Sequence, residues 1–267
     1  MLTDRQLRQF RDYGFLLGNR VLSDEQVESL RAETLRVIEQ REDKDISQPV
    51  MCHNMGKPEA PVWQIVNIWM ASEPFKELVT HPVICQEVAQ LHSGAKGLRI
   101  WHDQIQFKPA GKGGVNMWHQ DSPYWGILTP KAAQVTAWVA LDDVDESNGC
   151  MSMVPHSHLW GNSIEFLHTL KSFDDMRGVK EFLGNEVKVV ACPVKKGHVH
   201  YHHSLTWHGS HANTSDRPRR AIALHYMTDQ TRYVGKGEHV MKKFVQGLED
   251  GDKMRGEAFA VVWGECE

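Results

Sequence analysis

The chain has 267 residues, with 30 basic and 34 acidic side chains and a net charge of −4 at neutral pH. This near balance argues against a nucleic-acid partner or an anionic membrane surface, which select strongly basic proteins. Hydrophobic residues make up 41% of the sequence, and no apolar run is long enough to span a bilayer. The five cysteines are scattered without a CxxC pair, which is typical of a reducing compartment. We therefore expect a cytoplasmic globular protein without a nucleic-acid or membrane partner.

The first part of the chain, residues 1–95, is predicted to form a mostly helical layer. Leu7 and Phe10 are spaced as on one face of a helix, and Gly14 is typical of a helix end. A second helical periodicity follows a turn and begins after Ser23, a typical helix cap. A polar stretch indicates a loop after this helix, and strand-like and helical patterns then alternate to the end of the layer.

Past this layer, short β-rich runs are separated by turns, as in LRIWHDQIQFK, QVTAWVALDDV and RRAIALHYM. Several short strands at this spacing indicate a sandwich or barrel. We predict a mainly β fold with flanking helices, in which residues 96–230 form a double-stranded β-helix, the cupin-like jelly roll. An insert at about 160–185 interrupts this core, and residues 231–267 form a C-terminal extension. Because no linker is evident, residues 1–267 are expected to form a single domain.

Two motifs that are far apart in the chain contain candidate metal ligands. WHQDSPYW includes His119 and Asp121, and alternate side chains of an extended strand share a face, so both can reach one ion. His208, in TWHGSHANTSDRPRRAIAL, would complete a set of two imidazoles and one carboxylate. Such a set occupies one face of an octahedral ferrous ion and leaves positions for a bidentate co-substrate and O2. Each part alone is common by chance, so the combination carries this prediction.

Arg219 follows His208 by eleven residues and precedes the strand-like run AIALHYM. If that run is a strand antiparallel to the one that leads to His208, the guanidinium projects into the same cavity. Its planar fork suits the distal carboxylate of 2-oxoglutarate, and Ser210 could add a third hydrogen bond. The alternative is a solvated turn, because Arg219 lies in a basic run with Arg217 and Arg220.

The motifs in this order resemble the phytanoyl-CoA dioxygenase (PhyH) family of Fe(II)/2-oxoglutarate-dependent oxygenases. The resemblance runs from about residue 3 to 227 and includes LTDRQLRQFRDYGFLL, FKP, WHQDSPYW, VTAWVALDDVDESNGCMSMVPHSH and HGSHANTSDRPRRAIALHY. It implies that His119, Asp121 and His208 are the catalytic iron ligands. It also implies that Arg219 binds the distal carboxylate of 2-oxoglutarate.

Further residues of the 2-oxoglutarate pocket follow from the same resemblance. Ser210 matches a serine that assists Arg219 in binding the carboxylate. Gln106 and Trp138 fall where members of the family have pocket residues, and Thr136 is a rival for the role of Trp138. Core packing is the alternative for Trp138, and an exposed strand position is the alternative for Gln106.

One motif departs from the family pattern. Where the family usually reads PGSH, this chain reads PHSH, with His156 in place of a glycine that would permit a positive φ. Either His156 tolerates that strain or the turn differs. His156 and His158 could then reach the substrate, but exposed loop histidines are the alternative. His203, five residues before His208, is a second candidate for the metal or for the pocket wall.

The resemblance implies oxidative decarboxylation of 2-oxoglutarate to succinate and CO2, coupled to hydroxylation of an unactivated C–H bond. Desaturation, epoxidation or cyclisation are alternative outcomes of the same chemistry. No compact basic patch for CoA phosphates is evident, so a small metabolite or natural-product intermediate is the expected substrate, bound by a monomer or homodimer. The candidate substrate-site residues are His102, Trp118, Tyr124, Trp125 and His203, with Trp63 and Trp69 as further aromatic candidates.

Three other kinds of protein would also account for some of these residues. A zinc hydrolase could use the same three ligands, but it would have no use for Arg219 beside the metal. A non-catalytic metal- or ligand-binding jelly-roll protein would keep the fold without the turnover. A cupin-type protein would bind the metal without 2-oxoglutarate.

Overall fold

The computed structural model describes residues 1–92 and 94–266. Ser93 of the predicted helical layer and Glu267 of the predicted C-terminal extension lie outside the described residues. The α-helices are α1 Asp4–Tyr13, α2 Asp24–Glu39, α3 Glu73–Val79, α4 Pro82–Leu91 and α5 Ile164–Leu167. The strands are β1 Phe15–Arg20, β2 Met51–Asn54, β3 Trp63–Val66, β4 Gly97–Lys108, β5 Asn116–His119, β6 Leu128–Thr129, β7 Gln134–Ala140, β8 Met151–Met153, β9 Glu181–Phe182, β10 Asn185–Glu186, β11 Val190–Cys192, β12 His198–His203, β13 His208–Ser210, β14 Arg219–Thr228, β15 Arg232–Tyr233 and β16 Val261–Gly264.

Two antiparallel sheets form the centre of the molecule. The larger sheet has the strand order β1-β12-β7-β14-β4-β3-β2, with β16 paired to β4. The smaller sheet has the order β11-β8-β13-β5. Residues from both sheets line a common cavity, so the two inner faces enclose it. The predicted mainly β fold with flanking helices and a jelly-roll core is confirmed.

The N-terminal elements begin and end where local chemistry favours it. Ser23 caps α2, since its side chain accepts from the backbone N–H of Gln26 while the Gln26 side chain accepts from the backbone of Ser23. α1 ends at Gly14, whose φ of 83° is readily adopted only by glycine. The stretch between the helices was expected to be a turn and is strand β1, because Phe15 and Leu16 are buried where β1 pairs with β12.

The main hydrophobic core lies between the helices and one face of the larger sheet. Val27 of α2 and Ile84 of α4 belong to the same buried cluster as Ile105 of β4. Full burial of such a side chain contributes roughly 1.5–3 kcal/mol. Because successive side chains of a strand point to opposite faces, Ile105 lies in this core while Gln104 and Gln106 line the cavity.

The predicted insert and C-terminal extension both pack on the jelly roll. Within the insert, the carbonyl of Phe173 accepts a hydrogen bond of 2.9 Å from Nε1 of Trp118 in β5. In the extension, β16 adds a strand to the larger sheet beside β4, and Met241 is buried in a cluster with Trp101. The assignment of the whole chain to a single domain stays a prediction. No helix of residues 1–92 or 94–266 is long and apolar enough to cross a membrane.

Candidate metal centre

Pairing of two short strands brings the candidate ligands together. β5 ends at His119, β13 begins at His208, and these two residues lie opposite each other in the antiparallel pair. Asp121 lies beyond β5 with helical backbone angles, φ −72° and ψ −56°. Its N–H donates to the carbonyl of Ser204 at 3.0 Å. The expectation of one extended strand for the HxD pair is therefore wrong, because a turn after His119, held by Ser204, brings in the carboxylate.

The three side chains converge on one point. Asp121 Oδ1 lies 3.7 Å from His119 Nε2 and 3.4 Å from His208 Nε2. The centroids of the two imidazole rings are 4.1 Å apart. One ligand atom from each residue lies within 4.8 Å of the other two, as a shared metal ion requires. Within the part of the chain that the structure describes, no other group of three His, Cys, Asp or Glu residues meets this criterion.

Backbone carbonyls orient both imidazoles towards this point. His119 Nδ1–H donates to the carbonyl of Met117 at 2.7 Å, and His208 Nδ1–H donates to the carbonyl of Thr206 at 2.9 Å. Each Nε2 therefore presents its lone pair, which is how metal-binding histidines are commonly held. Burial and the nearby His208 lower the pKa of His119 to about 3, so this imidazole is neutral. This donor set fits a divalent ion such as Fe(II).

Asp121 is held through its second oxygen. Thr136 Oγ1 donates to Oδ2 at 2.9 Å, and His202 Nε2 donates to the same oxygen at 3.1 Å. His225 Nδ1 in turn donates to Thr136 Oγ1 at 2.8 Å. Burial alone would raise the pKa of Asp121, but His208 and His202 hold it well below its usual range. The carboxylate is thus charged, with Oδ1 left for a metal, and Thr136 contacts Asp121 instead of lining the cavity.

Arg219 lies behind the three candidate ligands in an inner cavity between the two sheets. Its side chain is 1% exposed, and its Nε and Nη1 atoms have no hydrogen-bond partner among the residues that the structure describes. The guanidinium carbon stacks over the Trp138 ring at 4.9 Å. Burial lowers the pKa of Arg219 to about 10, so it stays charged at neutral pH. The other residues of the inner wall are Gln104, Gln106, Asn116, His119, Asp121, Met151, His202, His208, Gly209, Ser210, Ala223 and His225.

The strand pairing around Arg219 differs from the expectation. β14 pairs with β4 and β7 in the larger sheet, while His208 belongs to the smaller sheet, so Arg219 reaches the cavity from the opposite side. The other arginines of the basic run have carboxylate partners. Arg217 is exposed and binds Asp145 at 2.7 Å, whereas Arg220 binds Asp142 at 2.8 Å. The solvated-turn alternative therefore describes Arg217 and not Arg219.

A buried lysine beside this cavity was missed by the sequence analysis. Lys108 lies opposite Arg219 in the β4–β14 pair, and its Nζ donates to Ser210 Oγ at 2.7 Å. Ser210 Oγ lies 3.3 Å from Asn116 Oδ1, to which it donates. Burial and the charge of Arg219 hold the pKa of Lys108 well below its usual value. The FKP motif contains this lysine, but only the strand register reveals that it contacts Ser210.

An outer cavity of about 680 Å³ adjoins the inner one and opens to solvent. His102, Trp118, Tyr124 and Trp125, which were predicted to meet the substrate, all line it. Gln106 lines both cavities, as do five other residues at the boundary: Gln104, Asn116, His119, Asp121 and His225. The remaining wall residues of the outer cavity are Met51, Met55, Gln64, Val66, Val115, Met117, Leu167, His168, Leu170, His239 and Val240.

Three of the predicted candidates do not reach either cavity. The ring of His203 lies 5.3 Å from that of His158, and His203 Nδ1 accepts from the backbone N–H of Leu205. Trp63 packs under the guanidinium of Arg41 at 5.3 Å. Trp69 packs against the main core. Among the described residues, His208 is thus the histidine that joins the HxD pair, and His203 is not.

The PHSH turn keeps the geometry that glycine would favour. His156 adopts a φ of 67°, which is a strained conformation for a residue with a side chain. Its Nδ1 donates to the carbonyl of Asp12 at 2.7 Å, and His158 Nε2 donates to the carbonyl of Arg11 at 3.0 Å. Both histidines therefore bind the end of α1, and neither lines the outer cavity.

Comparisons with known proteins identify the family of this chain. Residues 10–221 match the family model described as phytanoyl-CoA dioxygenase (PhyH). Phytanoyl-CoA dioxygenase domain-containing protein 1 of Danio rerio is 26% identical over 271 residues, which cover 86% of this chain and 91% of the relative.

Solved structures share the fold. The carbocyclase SnoK from nogalamycin biosynthesis, described as non-haem and α-ketoglutarate-dependent, is 29% identical with a TM-score of 0.77, covering 98% of this chain and 97% of that one. The epimerase SnoN in complex with Fe3+, α-ketoglutarate and nogalamycin RO is 21% identical with a TM-score of 0.71, covering 97% and 98%. The chain therefore belongs to the phytanoyl-CoA dioxygenase (PhyH) family and is a 2-oxoglutarate-dependent dioxygenase.

Proposed function

We propose that this dioxygenase hydroxylates an unactivated C–H bond of a small-molecule metabolite or natural-product intermediate. The overall reaction consumes the substrate, 2-oxoglutarate and O2 and yields the alcohol, succinate and CO2. In this proposal His119, Asp121 and His208 hold Fe(II), while Arg219 and Ser210 bind the distal carboxylate of 2-oxoglutarate. We expect a small molecule as the ligand, no nucleic-acid or membrane partner, and a monomer or homodimer in solution.

The buried Arg219 is the observation that carries this proposal. A guanidinium with two unpartnered nitrogens costs free energy unless an anion joins it. The co-substrate has one carboxylate for this cation and a keto acid for the metal end of the same cavity. A zinc hydrolase has no need of such a cation, and a cupin-type protein without 2-oxoglutarate would leave it unpaired.

Other residues of the site hold the Asp121 carboxylate and cover the Arg219 guanidinium. Thr136 and His202 keep the Asp121 carboxylate in place and charged, so that it can bind a cation. The ring of Trp138 covers the Arg219 guanidinium, which strengthens the field that an anion meets there. When bound, iron and 2-oxoglutarate supply the oxidising power for C–H cleavage with O2.

A second outcome of the same chemistry has support from one relative. SnoK, at 29% identity, is described as a carbocyclase. Ring formation, like desaturation or epoxidation, needs the same ligands and co-substrate and differs in how the substrate lies in the outer cavity. The product mass would separate hydroxylation, which adds one oxygen atom, from cyclisation by C–H oxidation, which removes two hydrogen atoms. NMR of the product would then separate cyclisation from desaturation and hydroxylation from epoxidation, because the members of each pair have the same mass.

The sharpest test removes Arg219 and compares it with its exposed neighbour. Arg219→Ala should raise the KM for 2-oxoglutarate roughly 30- to 1000-fold, because truncation of a buried charge contact costs about 2–4 kcal/mol. Arg217→Ala removes an arginine that binds Asp145 at the surface and should leave this KM unchanged. Succinate release at varied 2-oxoglutarate concentrations gives both values, and equal KM values in the two variants would refute the assignment.

A further inference from the structure

His102 lines the outer cavity, and one of its ring nitrogens is a buried acceptor. Its side chain is 2% exposed, and its ring lies 4.6 Å from that of His225 and 5.9 Å from that of Trp125. His102 Nδ1 lies 3.1 Å from the carbonyl oxygen of Asp103. Because a carbonyl oxygen only accepts hydrogen bonds, Nδ1 carries the proton. In the neutral ring, Nε2 is then an acceptor with a free lone pair.

This acceptor has no hydrogen-bond partner in residues 1–92 and 94–266. Among the described residues that line the outer cavity, His102 Nε2 is the only buried side-chain nitrogen or oxygen without a hydrogen bond. Burial lowers the pKa of His102 to about 3, so the ring stays neutral at physiological pH. A buried acceptor without a donor costs free energy, and such groups in native proteins have a specific reason. A donor on the bound ligand would satisfy it.

The walls of the outer cavity disfavour a charged ligand. Of its described lining residues, none is Lys or Arg, and Asp121 at the boundary is the only acidic one. The inner cavity, by contrast, contains Arg219. A ligand that carries phosphate or sulfate groups would therefore find no cation in the outer cavity with which to replace its lost hydration.

The rim of the outer cavity is apolar. Five of its lining residues are large hydrophobic side chains that are exposed to solvent, namely Met55, Val115, Met117, Tyr124 and Val240. A cluster of exposed apolar residues around one cavity marks a site for an apolar ligand surface. The volume of about 680 Å³ lies in the range of cavities for drug-sized ligands.

We propose that the outer cavity binds an uncharged, drug-sized molecule with an apolar skeleton, one hydroxyl group of which donates a hydrogen bond to His102 Nε2. That this molecule is the substrate rests on the proposed function, since the outer cavity shares the candidate metal ligands His119 and Asp121 with the inner one. An acyl-CoA or another phosphate-bearing substrate is the alternative that this proposal opposes.

Binding can be measured on metal-free protein through the quenching of tryptophan fluorescence, because Trp125 lines the cavity. The probes are two alcohols with different apolar skeletons, oestradiol and farnesol, each with its methyl ether and its sulfate ester, where both hydroxyl groups of oestradiol are blocked, together with palmitoyl-CoA. We expect at least one alcohol to quench saturably. Its methyl ether and its sulfate should bind about tenfold more weakly, as should palmitoyl-CoA, because each lacks the hydrogen bond or carries an unpaired charge.

Substitution of His102 assigns the hydrogen bond to this residue. His102→Leu should weaken the binding of the alcohol about tenfold and leave the affinity for its methyl ether unchanged. His102→Gln, which can present an amide oxygen as acceptor, should recover part of the affinity for the alcohol. His53→Leu removes an exposed histidine of β2 outside the cavity and should change neither affinity. Thermal melts of each variant check that it is folded.

Several results would overturn the proposal. These are binding of neither alcohol, equal affinities for an alcohol and its ether, a loss in His102→Leu that is the same for both, or palmitoyl-CoA as the tightest ligand. None of these measurements needs iron or turnover. Alcohol binding that depends on His102 in a protein that never releases succinate would therefore refute the proposed function and leave this inference standing. Succinate release in a protein whose alcohol binding does not depend on His102 would refute this inference and leave the proposed function standing.

Discussion

The inner and outer cavities share a wall but differ in their chemistry. The inner cavity lies between the sheets and contains the buried cation Arg219, two nitrogens of which have no partner in the described part of the chain, with Lys108 close behind Ser210. The outer cavity has no cation among its described lining residues, and its rim is apolar. The inner cavity therefore suits one fixed dianion, while the outer cavity suits an uncharged molecule. This separation allows the co-substrate chemistry to stay the same while substitutions at the rim change the substrate.

The largest effect should come from Asp121, a candidate metal ligand at the boundary of both cavities. Asp121→Ala removes the carboxylate between His119 and His208. Loss of a residue that only hydrogen-bonds a metal ligand costs up to about 100-fold, so loss of the ligand itself should lower iron affinity and succinate release by more than that. Iron content after gel filtration and succinate assays measure this. Asp216→Ala changes an exposed aspartate and serves as the control. Wild-type iron content in Asp121→Ala would rule out the metal centre.

An intermediate effect is expected at Thr136, which hydrogen-bonds the candidate metal ligand Asp121. Thr136→Val keeps the shape of the side chain but removes the hydroxyl that donates to Asp121 and accepts from His225. The affinity for Fe(II) should fall roughly 10- to 100-fold. Thr136→Ser retains the hydroxyl and should restore most of the affinity. Equal losses in both variants would indicate that packing, and not the hydrogen bond, is what matters at this position.

A small effect confined to the outer cavity is expected at its rim. Tyr124→Phe removes the hydroxyl that lies 2.8 Å from His168 Nε2, at a residue that is 50% exposed. The dissociation constants of the alcohol probes should change by roughly two- to threefold, since such an exposed hydrogen bond contributes little. The KM for 2-oxoglutarate should not change. A change in that KM comparable to the effect of Arg219→Ala would show that the two cavities are not independent.

The smallest effect on function is expected outside both cavities, at the PHSH turn. His156→Val and His156→Gly both lose the hydrogen bond to Asp12, so their difference isolates the cost of a φ of 67°. The valine variant should be less stable than the glycine variant by about 1–2 kcal/mol in urea unfolding. Both should keep the wild-type KM for 2-oxoglutarate. Equal stabilities would mean that the turn rearranges on substitution.

The chemistry of the site was easier to predict from the sequence than its geometry. His119, Asp121, His208 and Arg219 stand out because their residue types and order are characteristic of one kind of chemistry, and the structure brings them together. The backbone elements that bring Asp121 and Arg219 to the site were predicted wrongly. A local turn positions Asp121, and Arg219 comes from the opposite sheet, because strand order depends on long-range pairing that periodicity does not encode.

Residues that act through their neighbours were the hardest to find. His202 lies in the histidine-rich run HVHYHH, where nothing in the sequence distinguishes it from His203, which points elsewhere. His225 is the single histidine of β14, and no motif marks its contact with Thr136. The place of Lys108 beside the inner cavity can be inferred only once β4 is known to pair with β14. The same limit applies to the fold: alternation predicted the central strands, but β1 was missed because its pairing partner, β12, is far away in the chain.

The isolated charge of Arg219 has a consequence for the empty protein. A guanidinium that no carboxylate of the described chain contacts disfavours the native state, whereas an unfolded chain would hydrate it freely. A dicarboxylate that binds only the native chain would therefore act as a stabiliser, by about 2.7 kcal/mol when its concentration is a hundredfold above Kd. We expect resistance to heat and proteases to rise and fall with the supply of the keto acid.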